Sequence, residues 1–159
     1  MTRTFTLAEA NALIPRIATV LGRCTQLLGQ AQRIARQLAE AGVQPPAALA
    51  GGAPDEDDLP DDRPELAGLL HKAIALGDTA IEQGRILEGM GVVIQDLERG
   101  RVAFRSVIDG QREVFLSWQL GERQITHWHE VDAAFVDRRP VEGHAFFRSR
   151  QLVPPRSPE

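Results

Sequence analysis

The segment from Ser117 to Arg139 concentrates the side chains of this sequence that could do chemistry. His127 and His129 lie two residues apart, so on an extended strand both imidazoles project from one face, about 7 Å apart at the backbone. At that spacing two ring nitrogens can converge on one divalent ion, and zinc and iron are the metals that best suit such a site. The spacing therefore predicts a metal site in this segment.

Carboxylates near the two histidines could complete such a site. We predict a ligand set of His127, His129, Glu122 and Asp132, and we predict that Glu130 and Glu122 are catalytic carboxylates. A carboxylate beside a metal can orient a histidine or act as general base on a bound water, which would support hydrolysis. Two other interpretations stay open: a structural cluster of buried, paired polar groups, and a docking surface for a ligand or protein.

Two arginines follow the acidic residues directly. Guanidinium groups suit bidentate recognition of carboxylate or phosphate, so Arg138 and Arg139 are predicted to bind an anion, with a salt bridge to Asp132 or Asp137 as the alternative. A glycine-rich phosphate loop, a nucleophile elbow, a Cys-x-x-Cys pair and a helical His-Glu-x-x-His motif are all missing from the sequence. No nucleotide cofactor is therefore indicated.

Two long helices precede this segment. Thr6 and Glu9 form a capping box that begins the first helix, over about 6–41, and Pro15 is expected to kink that helix without ending it. Its apolar residues recur at intervals of three and four, which demands a partner helix; they are Ala10, Leu13, Ile17, Val20, Cys24, Leu27, Ala31, Ile34 and Leu38. A second helix, over about 63–88, begins at Asp62, Pro64 and Glu65 and supplies a matching face with Gly77 and Gly84. An antiparallel hairpin is the simplest arrangement.

The third section has the period of strands. Residues 102–108 and 114–120 alternate, and a three-residue loop at Asp109–Gln111 pairs Phe104 with Leu116 and places both apolar stripes on one face. Val92–Ile94 is predicted to be a further strand, and 123–128 another. The fold class is α+β, with the hairpin packed on a small antiparallel sheet. We predict one domain over 1–147, an acidic Pro/Gly loop over 42–62, a β-rich region over 91–140 and a flexible tail over 148–159.

Bulk properties exclude several classes of protein. The net charge of -4 and the lack of basic clusters disfavour nucleic-acid binding. No apolar run would span a membrane, no signal peptide is recognisable, and the single Cys24 fits a reducing compartment, so a cytoplasmic protein is expected. Cys24 is one of the recurring apolar residues of the first helix, which we call its seam, and it is predicted to be a packing residue.

The tryptophan motifs carry a family resemblance. Trp118-Gln119-Leu120-Gly121-Glu122 and Trp128-His129-Glu130, with Ile125, Phe135, Arg138 to Pro140 and the early Glu9-Ala10-Asn11 and Pro15, resemble the bacterial family known as domain of unknown function 2203. The resemblance implies a small cytoplasmic protein and does not point to a particular activity. Family members often carry cysteine at Ser117 and aspartate at Ala103, so neither position is an indispensable catalytic group here. The resemblance thus favours Glu122, His129 and Glu130.

Two functions follow from these patterns. The first is a divalent-metal-binding protein, with hydrolysis or another metal-dependent reaction as the activity that such a site could support. The second is an interaction or regulatory module that forms a homodimer through its helical hairpin, because the seam needs a partner.

Overall fold

Two long helices form the first half of the protein in a computed structural model, which describes residues 3–43 and 63–149. Helix α1 spans Leu7–Glu40 and α2 spans Pro64–Gly89. The capping box is confirmed: the Glu9 N–H donates to Thr6 Oγ1 at 3.1 Å, and the Thr6 N–H donates to the Glu9 carboxylate at 3.0 Å. Helix α1 continues through Pro15. The predicted helix start at Asp62, most of the acidic loop and residues 150–159 lie outside the described residues.

The seam of α1 is displaced by one residue in part of its length. The buried positions include Ile14 and Leu21 where Leu13 and Val20 were predicted, and those two are only partly buried at the edge of the core. The displacement arises because α1 packs against the sheet as well as against α2. The prediction that α1 has a partner helix is confirmed, and the partner is α2 of the same chain. The seam by itself therefore no longer demands a second copy.

Small residues bring the two helices together. The buried positions of α2 recur at alternating intervals of four and three, and they are Leu66, Leu70, Ala73, Gly77, Ala80, Gly84 and Leu87. Opposite them Cys24 is fully buried, and its thiol donates to the Ala80 carbonyl at 3.6 Å. Burial raises the pKa of this thiol, which fits the predicted packing role.

The second half of the protein is an antiparallel meander. Its strands are β1 (Val93–Asp96), β2 (Arg101–Ile108), β3 (Arg112–Gln119), β4 (His127–Glu130) and β5 (Arg139–Pro140), in that spatial order. Strands β2 and β3 pair Phe104 with Leu116 and Val102 with Trp118, as the three-residue loop predicted. Asp109 and Gly110 both take positive φ in that loop, at 51° and 70°.

The end of the chain returns to the sheet. Strand β6 (Phe146–Phe147) pairs with the end of β2, and Phe146 is buried in the core. Beside it, the Phe5 N–H donates to the Arg105 carbonyl at 2.8 Å, so the N-terminal segment continues the same edge. Arg148 then forms an ion pair with Glu9 at the start of α1.

One face of the sheet carries the core. Trp118 and Trp128 are both nearly fully buried and pack in one cluster with Ile14, Ile17 and Leu21 of α1. A separate cluster, including Ile34, Leu38 and Leu70, joins the helices at the far end of the hairpin. In the described ranges neither helix has a stretch apolar enough to cross a membrane. The arrangement leaves the opposite face of the sheet, which we call the outer face, to carry the polar residues of β2, β3 and β4.

Candidate functional site on the outer face of the sheet

The predicted histidines both lie on the outer face, because they alternate with the core residue Trp128 along β4. His127 is paired with Ser117 of β3, and His129 is paired with Phe115. His129 is 1% exposed, and its ring centroid lies 5.5 Å from that of Phe115. The shared face that their spacing predicted is therefore present.

Both ring nitrogens of His129 are already hydrogen-bonded. Nδ1 lies 2.8 Å from the backbone oxygen of Glu130, and since a carbonyl only accepts, Nδ1 carries the proton. In the neutral ring Nε2 is then an acceptor, and the Gln95 amide nitrogen lies 2.9 Å from it. Gln95 belongs to β1, so this contact reaches across the width of β2 and β3. A metal could bind His129 only by displacing one of these partners.

The predicted carboxylates are committed elsewhere. Glu122 closes the turn after β3 by accepting from the Gln119 N–H at 2.7 Å, and it also pairs with Arg138 at 3.0 Å. Glu130 accepts from Arg112 Nε at 3.0 and 3.1 Å, and that hydrogen bond lowers the pKa of Glu130. A carboxylate held ionised in this way is a weak base at neutral pH.

The last two predicted ligands, Asp132 and His127, do not form a metal site with His129. Asp132 is exposed, and His127 donates or accepts through Nδ1 with its neighbour Thr126 at 2.8 Å. Within residues 3–43 and 63–149, no group of three or more His, Cys, Asp or Glu side chains is placed to hold a metal ion. The metal prediction thus lacks support from the geometry of these residues.

The motif residues instead hold the turn between β3 and β4. The indole N–H of Trp118 donates to the Glu122 carbonyl at 3.1 Å, and that of Trp128 donates to the Pro140 carbonyl at 3.2 Å. Asn11 of α1 accepts the Ile125 N–H at 2.8 Å, which ties the turn to the helix. These contacts fit the interpretation of the motif as a structural polar cluster.

The two predicted anion-binding arginines differ in their surroundings. Arg138 is about one-fifth exposed. It is paired with Glu122, and not with Asp132 or Asp137 as the sequence suggested. Its guanidinium carbon also lies 4.2 Å from the centre of the Phe135 ring. Arg139 is exposed, with its guanidinium carbon 5.6 Å from the Trp128 ring centre.

A third arginine, which the sequence did not single out, lies over the same phenylalanine. The guanidinium carbon of Arg101 is 4.1 Å from the Phe135 ring centre, and its Nε is buried without a hydrogen-bond partner among the described residues. In the β1–β2 register Asp96 lies opposite Arg101. Its carboxylate, however, accepts hydrogen bonds from the backbone N–H and the guanidinium of Arg99, at 3.1 and 3.3 Å. Within the described ranges, Arg101 has no carboxylate partner. The alternation along β2 could not predict this contact, because only the fold brings Phe135 beside Arg101.

Ser117 is the second unsatisfied group on this face. It is fully buried and its Oγ has no partner in the part of the chain that the structure describes. It lies directly opposite His127 on β4 and Ala103 on β2, and Arg101 is one diagonal step away. Ala103 and Ser117, the two positions that depart from the resemblance noted above, are therefore cross-strand partners. We call Arg101, Ser117, His127 and Phe135 the outer-face cluster.

Comparison with known proteins places the chain in a family without assigning it a role. No curated protein and no solved structure shows a significant match. A family model matches residues 3–141, which includes both helices, the turn motifs and the outer-face cluster. The chain therefore belongs to the family described as "Uncharacterized conserved protein (DUF2203)".

Proposed function

We propose that this protein binds a small oxyanion, a carboxylate or a phosphate group, at the outer-face cluster. The observation that carries the proposal is the half-buried Arg101 guanidinium, which has no carboxylate partner among residues 3–43 and 63–149. A partly buried cation without a counter-ion is costly, and its planar fork of donors matches the oxygens of a carboxylate or phosphate.

The neighbouring charges favour an anion at Arg101 over the other arginines. Glu122 pairs with Arg138 and Glu113 pairs with Arg105, each at 3.0 Å, whereas Arg101 is partly buried and has no ion-pair partner among the described residues. Phe135 restricts the guanidinium by stacking, which lowers the entropy lost when it engages an anion. Ser117, one diagonal step from Arg101, and His127, opposite Ser117, supply further hydrogen-bonding capacity on the same face.

The site fits a binding role better than a catalytic one. Glu122 and Glu130 are held by arginines, and His129 has both nitrogens engaged, so these side chains are unsuited to moving protons without rearrangement. We therefore infer a ligand-binding protein.

Titration of the protein with inorganic phosphate, and separately with acetate, tests this proposal at constant ionic strength. The Arg101 Nε–H signal in a ¹H–¹⁵N spectrum should shift with saturation. At about ten times Kd the ligand should stabilise the fold by about 1.4 kcal/mol, which raises Tm by roughly 3–6 °C for a chain of this size.

Arg101→Gln should abolish the rise in Tm on adding either anion, whereas Arg101→Lys keeps the charge without the fork and should show only a small rise in Tm. The matched control is Arg123→Gln, which removes the same charge from an exposed position near the β3–β4 turn and should respond like the wild type. An unchanged response in a folded Arg101→Gln variant, or no response of the wild type to either anion, would overturn the proposal.

A further inference from the structure

A cleft of about 340 Å³ lies between the end of α2 and the sheet, apart from the outer-face cluster. Its walls are the last turn of α2, the connection to β1, the N-terminal segment and β2, and its lining includes Arg3, Glu88, Gly89, Val93 and Arg105. This volume falls at the lower end of the range for small-molecule sites. The cleft is therefore sized for a compact ligand.

Two arginines line the cleft, Arg3 and Arg105. Arg3 is anchored by donating from Nη1 to the Met90 carbonyl at 3.1 Å and by lying 4.6 Å from the Phe5 ring centre. Arg105 donates to Glu113 at 3.0 Å from Nη1, but its Nε is buried and has no partner among the described residues. Arg3 and Arg105 therefore hold cationic donors in place at the wall of the cleft.

The cleft is also lined by a carboxylate, that of Glu88. The Glu88 carboxylate has no ion-pair partner in the described part of the chain, although two arginines line the same cleft. It lies in the last turn of α2, where the peptide dipoles add partial negative charge. Glu113 does not line the cleft but pairs with Arg105, and together with it the charges of Arg3, Arg105 and Glu88 sum to zero, so a ligand with no net charge is favoured.

From this charge arrangement we propose that the cleft binds a small zwitterion with one carboxylate and one ammonium group. The carboxylate contacts Arg3 and the Arg105 donors that Glu113 leaves free, and the ammonium contacts Glu88. The inference is independent of the anion site, because Arg101 and Ser117 do not line this cleft.

Calorimetric titration with ω-amino acids of two to five carbons tests the proposal, with the corresponding carboxylic acids and alkylamines as single-charge probes. At least one amino acid should bind more tightly than either single-charge probe of the same length. Glu88→Gln should weaken the preferred amino acid by about two- to fivefold, the range for one partly exposed ion pair, and should leave the acid unaffected.

Glu82→Gln is the matched control, because Glu82 is an exposed glutamate of the same helix that does not line the cleft. A second variant, Gly89→Leu, tests access: a Cβ there meets no atom within 4 Å, and a leucine at this lining position should narrow the cleft and weaken every probe, with an unchanged urea midpoint as the check that the fold is kept. Arg101→Gln should leave amino-acid binding intact, which separates this site from the anion site. Failure of all the amino acids to bind, or equal binding by wild type and Glu88→Gln, would refute the zwitterion site.

Discussion

Two buried serines on neighbouring strands give a direct test of whether the outer face holds an unsatisfied polar group. Ser117 on β3 and Ser106 on β2 are each fully buried, so both hydroxyls are removed from solvent on folding. Ser106 Oγ donates to the Phe5 carbonyl at 2.6 Å, whereas Ser117 Oγ has no partner within the described ranges. The same substitution should therefore have opposite effects at the two positions.

The magnitudes follow from the cost of burying a hydroxyl. An unsatisfied buried polar group costs about 1–3 kcal/mol, so Ser117→Ala should raise the free energy of unfolding by roughly 1 kcal/mol after the lost packing contacts of the oxygen are subtracted. Ser106→Ala removes a hydrogen bond and leaves a carbonyl without that donor, so it should lower the free energy of unfolding by about 1–2 kcal/mol. The two variants should thus differ by roughly 2–3 kcal/mol.

Urea denaturation of both variants and the wild type measures this difference. The slope m should stay constant, since neither change alters the surface exposed on unfolding, and the midpoints should move in opposite directions. Equal destabilisation by the two substitutions would show that Ser117 Oγ is satisfied, and that result would remove one support for the outer-face site.

Three further predictions concern stability. The hydrogen bond from Arg148 lowers the pKa of Glu9 from 4.5 to about 2, so its stabilisation is complete above pH 4.5 and is lost as pH falls towards 2. Because Arg148 is half exposed and solvent screens the pair, the free energy of unfolding should fall by only about 1 kcal/mol over this range. The fall is measured by following Tm as pH is lowered, and Glu9→Gln should remove this pH dependence. Gly100→Ala should lower the free energy of unfolding, measured in urea, by roughly 2 kcal/mol, because φ is 68° and the added Cβ would lie 2.7 Å from a neighbouring side chain. Gly29→Ala should instead raise it by about 0.5–1 kcal/mol, because Gly29 lies within α1 and a Cβ there meets open space. Glu122→Gln should lower the free energy of unfolding by about 1–3 kcal/mol, because the carboxylate accepts from both a backbone N–H and Arg138, and a stability equal to the wild type would contradict its role in the turn.

Local patterns were sufficient to predict the elements that position the site. The capping box at Thr6 and Glu9 was predictable because its two hydrogen bonds join residues three apart. The β2–β3 register was predictable because a shift of one residue would have moved Leu116 and Trp118 out of the core. The hairpin followed from the helical period, although the exact seam did not, since Ile14 and Leu21 also pack against the sheet.

The partners of the chemistry-bearing side chains were set by long-range contacts. The sequence by itself determined that His127 and His129 share one face, because side chains alternate along a strand. Only the tertiary structure decided that Gln95, from the far side of the sheet, and not a metal ligand meets His129. It also decided that Glu122 pairs with Arg138, and that Arg101 lies over Phe135 without a carboxylate among the described residues. The physical reason is that periodicity fixes the direction of a side chain within its own element, whereas its hydrogen-bond and charge partners depend on which distant strands and turns pack beside it.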